Sequence, residues 1–134
     1  RVRDDKLHLT LCFLGDVARA RLPELCASLA VPCAAFDLVL NHFALWPRDV
    51  AVIEPLTVPD ELRALHAALK EALRGLGLPV ESRRFRPHVT LARHARQAKF
   101  PLQAQKIIWR VEGYALVESR LDSGEYRVLE KYPG

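Results

Sequence analysis

Two short stretches of the chain carry residues able to move protons. Residues 7–15 read LHLTLCFLG and residues 85–93 read FRPHVTLAR. Each holds a His-x-Thr-Leu inside an alternating apolar run: His8 with Thr10, and His88 with Thr90. Threonine occurs only at positions 10, 57 and 90, so two of the three follow a histidine by two residues. On a β-strand, residues i and i+2 project from one face about 6 to 7 Å apart. Each pair therefore presents an imidazole beside a hydroxyl, with Leu9 or Val89 turned to the other face. Two such strands side by side assemble a set suited to a phosphodiester. The hydroxyls donate to the non-bridging oxygens, while one imidazole accepts a proton and the other gives one up. Histidine suits both tasks because its ordinary pKa of about 6.5 keeps both protonation states accessible near neutrality.

A single strand histidine is more often structural than catalytic, so the argument rests on the duplication. A zinc site would need a third His, Cys or carboxylate at close spacing. Only Cys12, on the His8 face, offers one, and no metal or other cofactor is expected. His42, His66 and His94 have no Thr partner, and His66 borders a leucine stripe, as a structural residue would.

The elements that must position these pairs follow from periodicity. Residues 7–14 alternate and predict a strand. Leu22, Leu25, Cys26 and Leu29 recur at helical spacing over residues 20–30, with Pro23 near the start. Phe36–Leu40 predicts a strand, paired across a turn at Trp46-Pro47-Arg48-Asp49 with a second at 50–53. Pro59 opens the clearest helix, residues 60–74, with Leu62, Leu65, Leu69 and Leu73 as its stripe and Gly75 and Gly77 as stop signals. Residues 86–92 form the strand of the second pair, and 93–105 a polar loop. One long strand is expected over 107–119, then a turn at Asp122-Ser123-Gly124 and a last strand at 126–132. The order is β-α-β-β-α-β-β-β, an α+β domain with mainly antiparallel sheet.

At 134 residues the chain has the size of one domain, residues 1–134. No apolar run approaches the roughly 18 residues of a membrane span, so a soluble protein, monomeric and with no membrane partner, is expected. The three cysteines lack zinc-knuckle or CxxC spacing, which leaves a reducing cytoplasm as the default location. The formal charge of +4 fits an anionic partner. Arg83, Arg84, Arg86, Arg93, Arg96 and Lys99 cluster with no acid among them, either as a solvated basic face or as a binding surface.

The two motifs, in this order and about eighty residues apart, closely resemble those of the two-histidine phosphoesterase superfamily. The nearest branch is the bacterial RNA 2′,3′-cyclic phosphodiesterases, historically called 2′-5′ RNA ligases. The likeness continues through YALVESRL and Gly124-Glu125-Tyr126 and covers nearly the whole chain. It implies a bilobal, pseudo-two-fold α+β fold with antiparallel sheets flanked by helices around a central cleft. It also implies metal-independent hydrolysis of 2′,3′-cyclic phosphate ends of RNA or nucleotides to 2′-phosphomonoesters. His8 and His88 are then catalytic, with His8 as acid and His88 as base by resemblance alone. Thr10, Thr90 and Arg93 bind the phosphate. By strict alternation Arg93 falls on the wrong face, and reaches the phosphate only if the strand bends or ends at Ala92. Relatives carry a strand and a helix ahead of the first motif, so the chain reads as N-terminally truncated. Alternatives are another substrate for the same fold (ADP-ribose 1″,2″-cyclic phosphate or 2′-5′ oligoadenylate) or a non-catalytic AMP-binding module.

Overall fold

The computed structural model describes residues 7–94, 106–120 and 124–133. Seven strands and two α-helices occur among them: α1 (Leu22–Ser28), β1 (Phe36–Leu40), β2 (His42–Trp46), β3 (Val50–Glu54), α2 (Asp60–Gly75), β4 (Val89–Ala92), β5 (Ile107–Val111), β6 (Gly113–Ser119) and β7 (Tyr126–Pro133). The architecture is α+β with mainly antiparallel sheet, as expected. The chain divides into two compact units, neither contiguous in sequence. The first comprises Arg1–Leu11, Asp37–Pro59 and Arg83–Arg110, the second Cys12–Phe36, Asp60–Ser82 and Val111–Gly134.

The first unit contains an antiparallel sheet of order β2-β3-β4, and β1 pairs with β5. Its central strand β3 is buried from Ala51 to Glu54, which is why AVI reads as a continuous apolar run rather than an alternating one. Strand β2 departs from the expectation. The turn at Pro47-Arg48-Asp49 joins β3 to His42–Trp46, with Trp46 opposite Val50 and His42 opposite Glu54, and β1 pairs elsewhere. The sequence HFALW mixes exposed and half-buried positions, so it carries no clean period of two. The hairpin is closed with Arg48 at φ 68° and Asp49 at φ 59°, left-handed values that Asp accepts more readily than most residues.

The expected strand at 107–119 is two strands. Val111 and Gly113 belong to β5 and β6, which pair with β1 and β7 respectively. The apolar odd positions of the sequence do not mark the break, and they are not the buried ones: Leu116 is buried while Ile107, Trp109 and Val117 are exposed. Asp122 and Ser123 of the expected turn, and residues 95–105 of the expected loop, lie outside the described residues.

In the second unit α2 buries Leu62, Leu65, Leu69 and Leu73, the stripe read from spacing. Its end is a glycine cap: Leu78 N–H donates to the Leu73 carbonyl (3.0 Å) and Gly77 N–H to that of Arg74 (2.9 Å), with Gly77 at φ 72°. Gly77 stops the helix because this turn needs a left-handed residue; Gly75 remains helical. Helix α1 is shorter than expected, a 3-10 turn at Arg19–Arg21 preceding it.

The hairpin β6–β7 contributes two stacked tyrosines, Tyr114 and Tyr132, 4.9 Å apart. Tyr132 Oη donates to the Cys26 carbonyl (2.8 Å) and Tyr114 Oη to that of Leu29 (2.6 Å). Both carbonyls lie at the C-terminal end of α1, where helix geometry supplies no intrahelical donor. Burial first, then the Cys26 and Glu130 groups, pushes the Tyr132 phenol up to about 12. An unfolded tyrosine titrates near 10, so the folded state favours the neutral phenol. This stabilisation is complete below about pH 10 and is lost as pH rises through about 12. Tyr132→Phe is expected to cost ~1 kcal/mol at neutral pH. It should also flatten the alkaline fall in stability, read by urea unfolding between pH 9 and 12. The Tyr114 phenol, also raised by burial, leaves a residual slope.

Candidate active site

One backbone bridge brings the two His-x-Thr pairs level. Leu9 and Val89 pair antiparallel; a ladder continuing from this bridge would set His8 opposite Thr90 and Thr10 opposite His88. On a regular ladder antiparallel neighbours stand about 4.5 to 5.5 Å apart at Cβ and positions i and i+2 about 6 to 7 Å, the scale of one phosphate group. Val89 anchors the arrangement: it is buried and also pairs with Ile53 of β3.

The first motif does not form the expected strand. Leu9 makes an isolated bridge, and the chain passes from the first unit to the second between Leu11 and Cys12. Cys12, the expected strand's one spare ligand, has Lys70 and Glu81 as electrostatic neighbours, and burial pushes its thiol up. Among the described residues no group of three or more His, Cys, Asp or Glu is gathered to hold a metal.

A bulge lies just before Arg93. Thr90 lies opposite Val52, but Ala92 rather than Leu91 lies opposite Ala51, so Leu91 is the extra residue. Strand β4 ends at Ala92, and Arg93 is exposed.

His88 has the most defined surroundings. Its Nδ1 lies 2.9 Å from the Arg86 carbonyl oxygen. A carbonyl only accepts, so Nδ1 carries the hydrogen and the neutral ring keeps its lone pair on Nε2. The ring lies 4.2 Å from that of Trp46, tilted by 50°. The Arg86 guanidinium stands 4.4 Å over the Trp46 ring and makes a two-pronged contact with Glu54, Nε to Oε2 and Nη2 to Oε1, each 3.0 Å. That bond to Glu54 pushes Arg86 further up, securing its charge. His42 Nε2 lies 3.9 Å from Glu54 Oε1. Glu54 is buried. Reading the sequence missed Trp46, which it assigned to a turn, and Glu54, which follows the apolar run of β3. Their only signal is a carboxylate ending a buried strand.

Comparison with known proteins agrees with this architecture. A family model described as the 2′-5′ RNA ligase superfamily matches residues 1–123. The chain belongs to that superfamily. It is 33% identical over 141 aligned positions to the RNA 2′,3′-cyclic phosphodiesterase of Thermus thermophilus, covering 95% of this chain and 71% of that one. It is 33% identical over 112 positions to the protein of the same name from Geobacillus stearothermophilus, covering 79% and 35%. Among solved structures, E. coli LigT complexed with 3′-AMP superposes with a TM-score of 0.85 at 27% identity, over 98% of this chain and 79% of that one. No helix among the described residues is long and apolar enough to cross a membrane.

Proposed function

We propose that the chain is an RNA 2′,3′-cyclic phosphodiesterase that opens the cyclic phosphate to a 2′-phosphomonoester by acid–base catalysis. The observation that carries this reading is the Leu9–Val89 bridge, which joins the segment holding His8 and Thr10 to the segment holding His88 and Thr90. A water in line with the 3′ oxygen gives its proton to Nε2 of neutral His88 as its oxygen bonds to phosphorus. The bond from phosphorus to the 3′ oxygen breaks, and protonated His8 supplies the proton that oxygen needs. The Thr10 and Thr90 hydroxyls and the Arg93 guanidinium hold the charge that builds on the non-bridging oxygens. The hydrogen bond from His88 Nδ1 to the Arg86 carbonyl supports the base role by leaving Nε2 as acceptor. The names of the relatives support the substrate. So do LigT structures solved with 3′-AMP, with ATP and with NADP+, which favour a nucleotide as ligand.

The test is incubation with cytidine 2′,3′-cyclic monophosphate in EDTA. The expected product is cytidine 2′-monophosphate, formed with a bell-shaped pH dependence because one ring must be neutral and the other protonated. AMP binding without turnover of any cyclic phosphate would identify a binding module instead. Turnover confined to ADP-ribose 1″,2″-cyclic phosphate or 2′-5′ oligoadenylate would reassign the substrate.

A further inference from the structure

We infer that Glu54 is a positioning residue for His88, acting through Arg86 and Trp46. The inference rests on the reading of His88 as a reacting group and extends it to the residues that aim the ring. Arg86 touches His88 along two routes. Its carbonyl takes the hydrogen of Nδ1 at 2.9 Å, and its guanidinium covers the Trp46 ring at 4.4 Å, which in turn lies 4.2 Å from the imidazole. Both routes depend on where the Arg86 segment sits, and residues 85–88 precede the regular part of β4. No strand ladder fixes them.

Glu54 holds Arg86 within them. Its carboxylate ends the buried strand β3 and grips the Arg86 fork at two points, a geometry that constrains direction as well as distance. Glu54 is buried, with its side chain 10% exposed, while that of Arg86 is 60% exposed. The anchor is therefore the acid, and the mobile partner is the arginine. Trp46 supplies a second sign that position outranks local satisfaction. Its indole nitrogen is buried with no hydrogen-bond partner among the described residues, although buried donors are ordinarily paired. The ring lies against the Arg86 guanidinium and, tilted, against the His88 imidazole.

The experiment uses Glu54→Gln and Arg86→Lys in the full chain, with folding checked by circular dichroism. The histidine tautomers are read by ¹⁵N NMR and turnover by hydrolysis of cytidine 2′,3′-cyclic monophosphate. Glutamine cannot accept both prongs of the fork, and lysine cannot offer them. Both variants are expected to convert His88 from the single Nδ1–H form to a mixture. Both should lower kcat by about tenfold, the scale for groups that orient a functional side chain, with KM within about twofold. A folded variant with the wild-type tautomer and unchanged kcat would overturn the inference, as would a fall in kcat/KM confined to KM. Should Glu54→Gln not fold, Arg86→Lys decides alone, since it alters an exposed head group. Should the wild-type chain turn over no cyclic phosphate, the proposed function fails, and the tautomer measurement still decides this one.

Discussion

His88→Ala is expected to reduce hydrolysis of a nucleoside 2′,3′-cyclic monophosphate by about 10²- to 10⁴-fold, the usual worth of one general acid–base group. His8→Ala is expected to do the same. The two effects should not add in the double variant, because a step that needs a donor and an acceptor together is already lost with either. KM should move much less than kcat, since Thr10, Thr90 and Arg93 remain to hold the phosphate. The proposed basis is the Leu9–Val89 bridge, which joins the two segments that carry these histidines. Steady-state kinetics of the three variants in EDTA test this, and full activity in His8→Ala would refute the scheme.

Ile53→Ala has the largest expected effect on stability, ~2–5 kcal/mol, the range for removing a buried branched side chain that leaves a cavity. Ile53 is 1% exposed and lies on the central strand, opposite Phe43 on one side and Val89 on the other. Neighbouring strands are fixed by their ladders, so the space left by the lost carbons closes poorly. Against a total of about 5–15 kcal/mol for a natural domain, this is a large share. Urea unfolding measures it. A loss below ~1 kcal/mol would mean that β3 is not the core of the first unit. The same variant should also lose activity through Val89, which carries both the Ile53 pairing and the bridge to Leu9.

Much of this was legible in the sequence wherever one physical rule acted alone. The helix α2 declares itself through four leucines at helical spacing and the glycine that caps it. The two histidine pairs declare themselves because His-x-Thr-Leu occurs twice in a chain with only three threonines. Three features were not legible, each because two rules compete. Strand β2 has no period of two, since neither of its faces is uniformly buried. The division of 107–119 is hidden because the apolar odd positions of the sequence run across it, although the buried residue of β6 is Leu116. The bulge at Leu91 shifts the register of β4 against β3, and nothing in VTLAR marks it. The support of His88 by Glu54 is likewise invisible: the two are 34 positions apart, and only the pairing of β3 with β4 brings them close.

Two imidazoles from remote segments meeting a single anion is the claim from which the chemistry follows. Titration of the ¹⁵N-labelled chain with cytidine 2′-monophosphate tests it most directly, following the side-chain signals of His8, His88 and His66. The signals of His8 and His88 should shift together along one binding curve with one midpoint, while that of His66, on α2, stays still. Movement of one of the pair alone, or two separate midpoints, would contradict the account.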